Sequence, residues 1–176
     1  VSFVWVAQKP WMAAVPLVGR WSGHGVVLPK GIKYLEQSVF TVLKTEPALV
    51  VNWQQFTKHA DTGGPMHAEN GFLKILPSDG GRATGELLLS HPFAVNEIYA
   101  CTYENQTLEC LATQDDGSFQ RGKTAKGKTT TCVKRVYRME DDDTLTYDVF
   151  LGIDGNEPTH HLHGQLRKEA ATEKVN

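Results

Sequence analysis

Asp143-Thr144-Leu145-Thr146-Tyr147-Asp148-Val149-Phe150-Leu151 is the stretch that decides the fold. Leu145, Tyr147, Val149 and Leu151 fall on one parity, and Thr144, Thr146, Asp148 and Phe150 on the other. Side chains alternate across a strand, so this stretch pleats with one apolar face. Residues 33–43 and 48–56 are rich in β-branched and aromatic side chains, which suit a pleated surface. Further strands are expected over residues 71–76, 85–90, 95–103, 107–112, 129–139 and 158–166. Asp79-Gly80-Gly81, Asp115-Asp116-Gly117, Asp141-Asp142-Asp143 and Asp154-Gly155-Asn156 supply the turns between them. No segment sustains a helical period; the best short helix is the tail, residues 166–174.

About ten strands joined by short turns make an antiparallel meander. A sheet of that size must curl or close, because free edges invite aggregation. The expectation is an all-β, closed, up-and-down antiparallel β-barrel of about ten strands, with room inside for a small ligand.

The chain has 176 residues, which suggests one domain spanning 1–176. A hydrophobic share of 40% and a net charge of -2 describe an ordinary globular chain with no electrostatic case for nucleic acid. Lys123, Lys126 and Lys128 form a small basic run, but Gly122 and Gly127 make it read as a solvated loop. The apolar start, residues 1–6, is too short to span a bilayer and lacks a charged flank. No membrane partner is expected, and the lack of an address points to the cytoplasm. Cys101 and Cys110 can face each other across a hairpin turning near Asn105-Gln106, and the reading prefers two reduced core thiols to a bridge. Asn105-Gln106-Thr107 is a glycosylation sequon, relevant only to a secreted chain.

Histidines cluster in Thr159-His160-His161-Leu162-His163, with His67 in Pro65-Met66-His67-Ala68-Glu69 and His91 before Pro92. Neutral imidazole offers a lone pair at neutral pH, so such groupings suit a metal. In a regular strand His161, His163 and Gln165 share one face, while Leu162, Gly164 and Leu166 share the other. The apolar face would point inward and leave His161 outside, unless a bulge or a site at the barrel mouth intervenes. The Gly19-Arg20-Trp21-Ser22-Gly23-His24-Gly25 run reads first as barrel closure: a Trp plugging one end, with glycines where backbone approaches closely.

These motifs together resemble the nitrobindin family, heme-binding β-barrels similar in shape to lipocalins and fatty-acid-binding proteins. The resemblance rests on Gly19 to Gly25 as G-x-W-x-G-x-G and on Pro65-Met66-His67-Ala68-Glu69-Asn70-Gly71-Phe72-Leu73. It rests further on Glu86-Leu87-Leu88-Leu89-Ser90-His91-Pro92 with Val95-Asn96-Glu97, and on His161-Leu162-His163 ahead of Leu166-Arg167-Lys168. It covers residues 17–168 in order. It implies ferric heme b, Fe(III), with His161 as the axial iron ligand, Met66 and His67 on the distal side, and His91 and Leu151 lining the cavity. It implies binding of nitric oxide and isomerisation of peroxynitrite to nitrate. The sequence departs from the family at Pro29-Lys30, at Phe93-Ala94 and over residues 152–158. Three other readings stand beside it: a carrier of a fatty acid or similar apolar ligand, with a basic residue inside the cavity; a zinc site built from His161, His163 and His67; and a barrel that has lost its heme.

Overall fold

The computed structural model describes residues 16–76 and 82–170. Eleven strands follow in order: β1 (Gly19–Val27), β2 (Ile32–Lys44), β3 (Leu49–His59), β4 (Pro65–Leu76), β5 (Ala83–His91), β6 (Val95–Glu104), β7 (Thr107–Thr113), β8 (Phe119–Arg121), β9 (Thr130–Asp141), β10 (Thr144–Ile153) and β11 (Thr159–Lys168). Ten of them form a closed ring, β1-β2-β3-β4-β5-β6-β7-β9-β10-β11, and every neighbouring pair is antiparallel. The short β8 adds to the start of β6, pairing Phe119 with Glu97. The expected ten-stranded barrel is the fold. Among the described residues there is no α-helix, and none long and apolar enough to cross a membrane.

The alternating stretch at residues 143–151 packs as its parity demands: Leu145, Tyr147 and Val149 are buried. β4 begins at Pro65, six residues before the expected strand. The expected tail helix does not form where the chain is described, since β11 carries its pairing to Lys168, opposite Trp21; residues 171–174 lie outside the described residues. The expected turn at Asp79-Gly80-Gly81 and the apolar start also lie outside them.

Trp21 closes one end. It is fully buried, and its indole Nε1 donates to Leu17 O at 2.7 Å. Lys168 Nζ lies 5.3 Å from the centroid of its ring. Gly25 pairs with Gly164 across β1 and β11. A Cβ at Gly25 would meet Tyr34 Oη at 2.2 Å, and one at Gly164 would meet the Tyr147 ring at 2.3 Å. The glycine pair therefore makes room for two inward tyrosines. Cys101 and Cys110 are register partners on β6 and β7 and are joined as a disulfide, against the expectation of free thiols. The turn between them bends through left-handed Asn105 and Gln106.

Three layers stack along the barrel axis. The Trp21 end holds the apolar core of Trp53, Leu73, Leu87, Leu108, Leu145 and Leu166. A belt of buried polar side chains lies above it, and a cavity occupies the other end.

Candidate functional site

The cavity measures about 330 Å3, within the usual range of small-molecule sites. Val27, Val95, Val133, Val149, Leu151 and Leu162 give it apolar walls, and the polar belt forms its floor. Met66, His67, His91, Leu151 and His161 all line it, so the five residues singled out in the sequence come together.

The position of His161 depends on an irregularity. Val149 pairs with Leu162 and Phe150 with His160, so β11 carries one extra residue at His161. This bulge lets both His161 and Leu162 face the cavity, where a regular strand would send one of them outside. It also separates His161 from His163. His163 is exposed and bonds to Asp148 on the outer face, so the zinc set of His161, His163 and His67 is not assembled. The His161 ring is half-buried and makes no hydrogen bond among the described residues. Burial, and then the nearby His67, lower its pKa and so favour the neutral imidazole.

Facing β11 across the barrel is β5, five steps away around the ring in either direction. His91 ends β5. Its ring stacks on Phe93, with centroids 5.0 Å apart and planes 23° apart. His91 Nε2 lies 3.0 Å from Glu97 Oε2, close enough for ionic attraction but misaligned for a hydrogen bond. Both ring nitrogens are buried without a hydrogen-bond partner. His67 stands beside it, with ring centroids 5.1 Å apart, and its Nε2 lies 3.3 Å from Glu69 Oε2. Met66 sits at the rim, 40% exposed.

Sequence reasoning missed the floor. Arg135 grips Glu69 bidentately, with Nη1 to Oε1 at 2.8 Å and Nη2 to Oε2 at 2.9 Å. Its Nε donates to Tyr99 Oη at 2.8 Å, and Nη2 reaches Glu97 Oε2 at 3.4 Å. Trp53 Nε1 donates to Glu69 at 3.2 Å. Burial alone would raise the pKa of both carboxyls. The Arg135 charge and the His67 contact outweigh it at Glu69 and hold that carboxyl far below the usual range. His91, Arg135 and Tyr99 lower Glu97 in the same way. A second cluster centres on Glu36, which accepts from Ser38 and Gln55 at 2.7 Å each and from Tyr147. Tyr147 in turn shares a 2.6 Å hydrogen bond with Tyr34. Burial raises the Glu36 pKa, and no cation opposes it. The sequence did carry a signal: Glu97 shares the parity of Val95, Tyr99, Cys101 and Tyr103, and Arg135 that of Val133 and Tyr137.

The mouth is basic. Lys123, Lys126 and Lys128 are exposed as a solvated loop would have them, and Lys126 and Lys128 also line the opening together with Arg121. Arg121 Nη1 donates to Lys128 O at 3.1 Å, which ties the β8–β9 connection to this rim. Of the departures, Lys30 is exposed in the β1–β2 turn, and Ala94 adopts a φ of 62°, a region that favours glycine. Gly152 is buried, and a Cβ there would meet Asn156 O at 2.8 Å.

A family described as the THAP4-like, heme-binding beta-barrel domain matches residues 12–168. The chain is 33% identical over 167 residues to a protein of Mycobacterium marinum named peroxynitrite isomerase 2, covering 90% of this chain and 94% of that one. It is 33% identical over 168 residues to the peroxynitrite isomerase of Nocardia farcinica, covering 93% and 94% of the two. The crystal structure of Rv2717c from M. tuberculosis superposes with a TM-score of 0.74 at 29% identity, over 93% of this chain and 99% of that one. An S-type phycobiliprotein lyase of Guillardia theta, 11% identical with a TM-score of 0.52, shares the fold alone.

Proposed function

Because the chain belongs to the THAP4-like heme-binding β-barrel family, we propose that its cavity holds ferric heme b on His161. In this reading the loaded protein binds nitric oxide and isomerises peroxynitrite to nitrate. One observation carries it: an imidazole that makes no hydrogen bond among the described residues faces the cavity from β11, and the same cavity is lined from the opposite strand by His91, whose ring nitrogens also make no hydrogen bond. The residues present fit such a group. His161 would hold such a group, and the stacked His91–Phe93 pair would give a flat macrocycle an aromatic wall. Iron held there by a single imidazole would supply Lewis acidity toward a small anion.

The chain's own groups do the rest. His161 is held by a rigid sheet at a bulge, which limits the freedom of its ring. His67, beside Glu69, and His91, beside Glu97, could orient a small anion on the open side. Leu151, Val149 and Leu162 exclude water with apolar surface. Arg121, Lys126 and Lys128 at the mouth would offer positive charge to acidic groups of the macrocycle and would draw anions inward. The carrier reading is weaker, because Arg135, the basic residue at the cavity floor, is already committed to two carboxylates.

The test is a hemin titration with peroxynitrite decay followed in the same samples. Wild type should develop a saturating Soret band at one equivalent and accelerate decay. His161→Ala should lose both. Equal spectra and equal decay rates in the two proteins would remove the assignment.

A further inference from the structure

The bulge that turns His161 inward has a second effect on the outer wall. His160 and His163 stand three positions apart, an odd offset, and would point to opposite faces of a regular strand. The extra residue at His161 brings both to the outside, with His160 opposite Phe150 and His163 opposite Asp148. Their rings converge on one oxygen: His160 Nε2 and His163 Nδ1 each lie 2.9 Å from Asp148 Oδ1. The three candidate donor atoms lie within 4.8 Å of one another. Phe150 stacks on His160 at 4.9 Å and 24° and so fixes that ring. Arg138 Nη1 holds the other carboxylate oxygen, Oδ2, at 2.7 Å and leaves Oδ1 for the histidines.

We propose that Asp148, His160 and His163 form a binding site for a divalent transition-metal ion of the zinc class on the outer wall of β10 and β11. Two imidazoles and one carboxylate are a donor set that zinc accepts, with a fourth position left to water. Zinc bonds of about 2.0–2.2 Å in a tetrahedron set ligand atoms about 3.3 Å apart. The 2.9 Å contacts need to open by only a few tenths of an ångström. The Arg138 contact orients the carboxylate from behind, as outer partners of metal ligands commonly do. His160 Nε2 also lies 3.0 Å from Leu162 O, so one ring nitrogen faces two oxygens. A single N–H satisfies two acceptors poorly, whereas an ion at this point would take the nitrogen and Asp148 Oδ1 together. The ion would clamp β10 to β11 across the bulge and hold the backbone that presents His161. The site is separate from the cavity and does not depend on the ligand proposed there.

The experiment uses full-length, heme-free protein freed of metal by a chelator. Zn2+ is titrated by calorimetry, and Co2+ substitution reads the coordination through its visible absorption. Wild type should bind one equivalent, with the intense visible bands of four-coordinate Co2+. His163→Ala and His160→Ala should each weaken Zn2+ binding at least tenfold and abolish those bands, whereas His161→Ala should keep both. His160 and His163 are exposed, so their replacement leaves the barrel folded; its thermal unfolding is recorded alongside. No binding by folded wild type, or undiminished binding in both outer variants, overturns the proposal. Loss of binding in His161→Ala alone would also overturn it, by placing the ion in the cavity.

Discussion

Replacing Arg135 by Met tests the polar floor directly. Arg135 is 7% exposed and serves Glu69, Glu97 and Tyr99 at once. Its removal strips two buried carboxylates of their guanidinium and leaves them with His67 and His91 alone. Breaking a buried ion pair by deleting one partner costs about 3–5 kcal/mol. For a chain of this size that corresponds to a melting temperature lower by about 6–20 °C at neutral pH. The pH dependence carries more information than the size. In wild type the folded pKa values of Glu69 and Glu97 lie below their unfolded values. Their contribution is therefore fully present above the unfolded value of about 4.3 and is lost as pH falls through the folded values. Without Arg135 both folded values rise, most at Glu69, where the Arg135 charge is the largest opposition to burial, while His67 and His91 still oppose burial. The variant therefore gives up less stability on acidification than wild type. The gap between the two proteins should narrow from pH 7 to pH 4.5, because protonation relieves carboxylates that have lost their guanidinium. Glu36, whose folded pKa is raised in both proteins, largely cancels in the comparison. Adding Glu69→Gln and Glu97→Gln to Arg135→Met should recover most of the loss at pH 7. Chemical denaturation at several pH values measures all three proteins. A cost under about 1 kcal/mol, far below the range for a broken buried pair, or a gap unchanged with pH, would refute the reasoning.

Trp21→Ala should cost about 3–5 kcal/mol through the cavity it leaves, read as a lower melting temperature; an unchanged melt would deny Trp21 its role as the plug. Gly164→Ala forces a methyl group into the Tyr147 ring and should destabilise by about 1–3 kcal/mol, with the near-ultraviolet tyrosine signal altered. Replacing Cys101 and Cys110 together by Ala should cost about 2–3 kcal/mol for a closed loop this short, and thiol titration of the unfolded, unreduced wild type should count Cys132 alone.

Much of this barrel is written in the chain's parity. The alternation in residues 143–151 and the Asp/Gly turns carry the strand count, and Gly19 to Gly25 announces the plugged end. What escaped has physical causes. Glu36, Glu69, Glu97 and Arg135 are charged, and binary patterning sends charge to water; only their mutual pairing or hydrogen bonding makes the interior tolerable. Glu69 hid the first half of β4 for the same reason, and Pro65 reads as a strand residue only once β4 is known to begin there. The inward turn of His161 needs one extra residue in β11, and a one-residue slip reverses every face after it. Register showed that Cys101 and Cys110 are neighbours, but register carries no redox state. Ala94 is the reverse case, a residue whose φ of 62° is foreign to its side chain and shows only in the backbone.

The most direct test of the central claim is imidazole rescue. His161→Gly, loaded with hemin, is compared with wild type by absorption spectroscopy before and after imidazole is added. The account predicts a diminished, shifted Soret band in the variant that moves to the wild-type position as imidazole fills the space left by the ring. A variant that matches wild type without imidazole would contradict it, and His161 would not be the axial ligand.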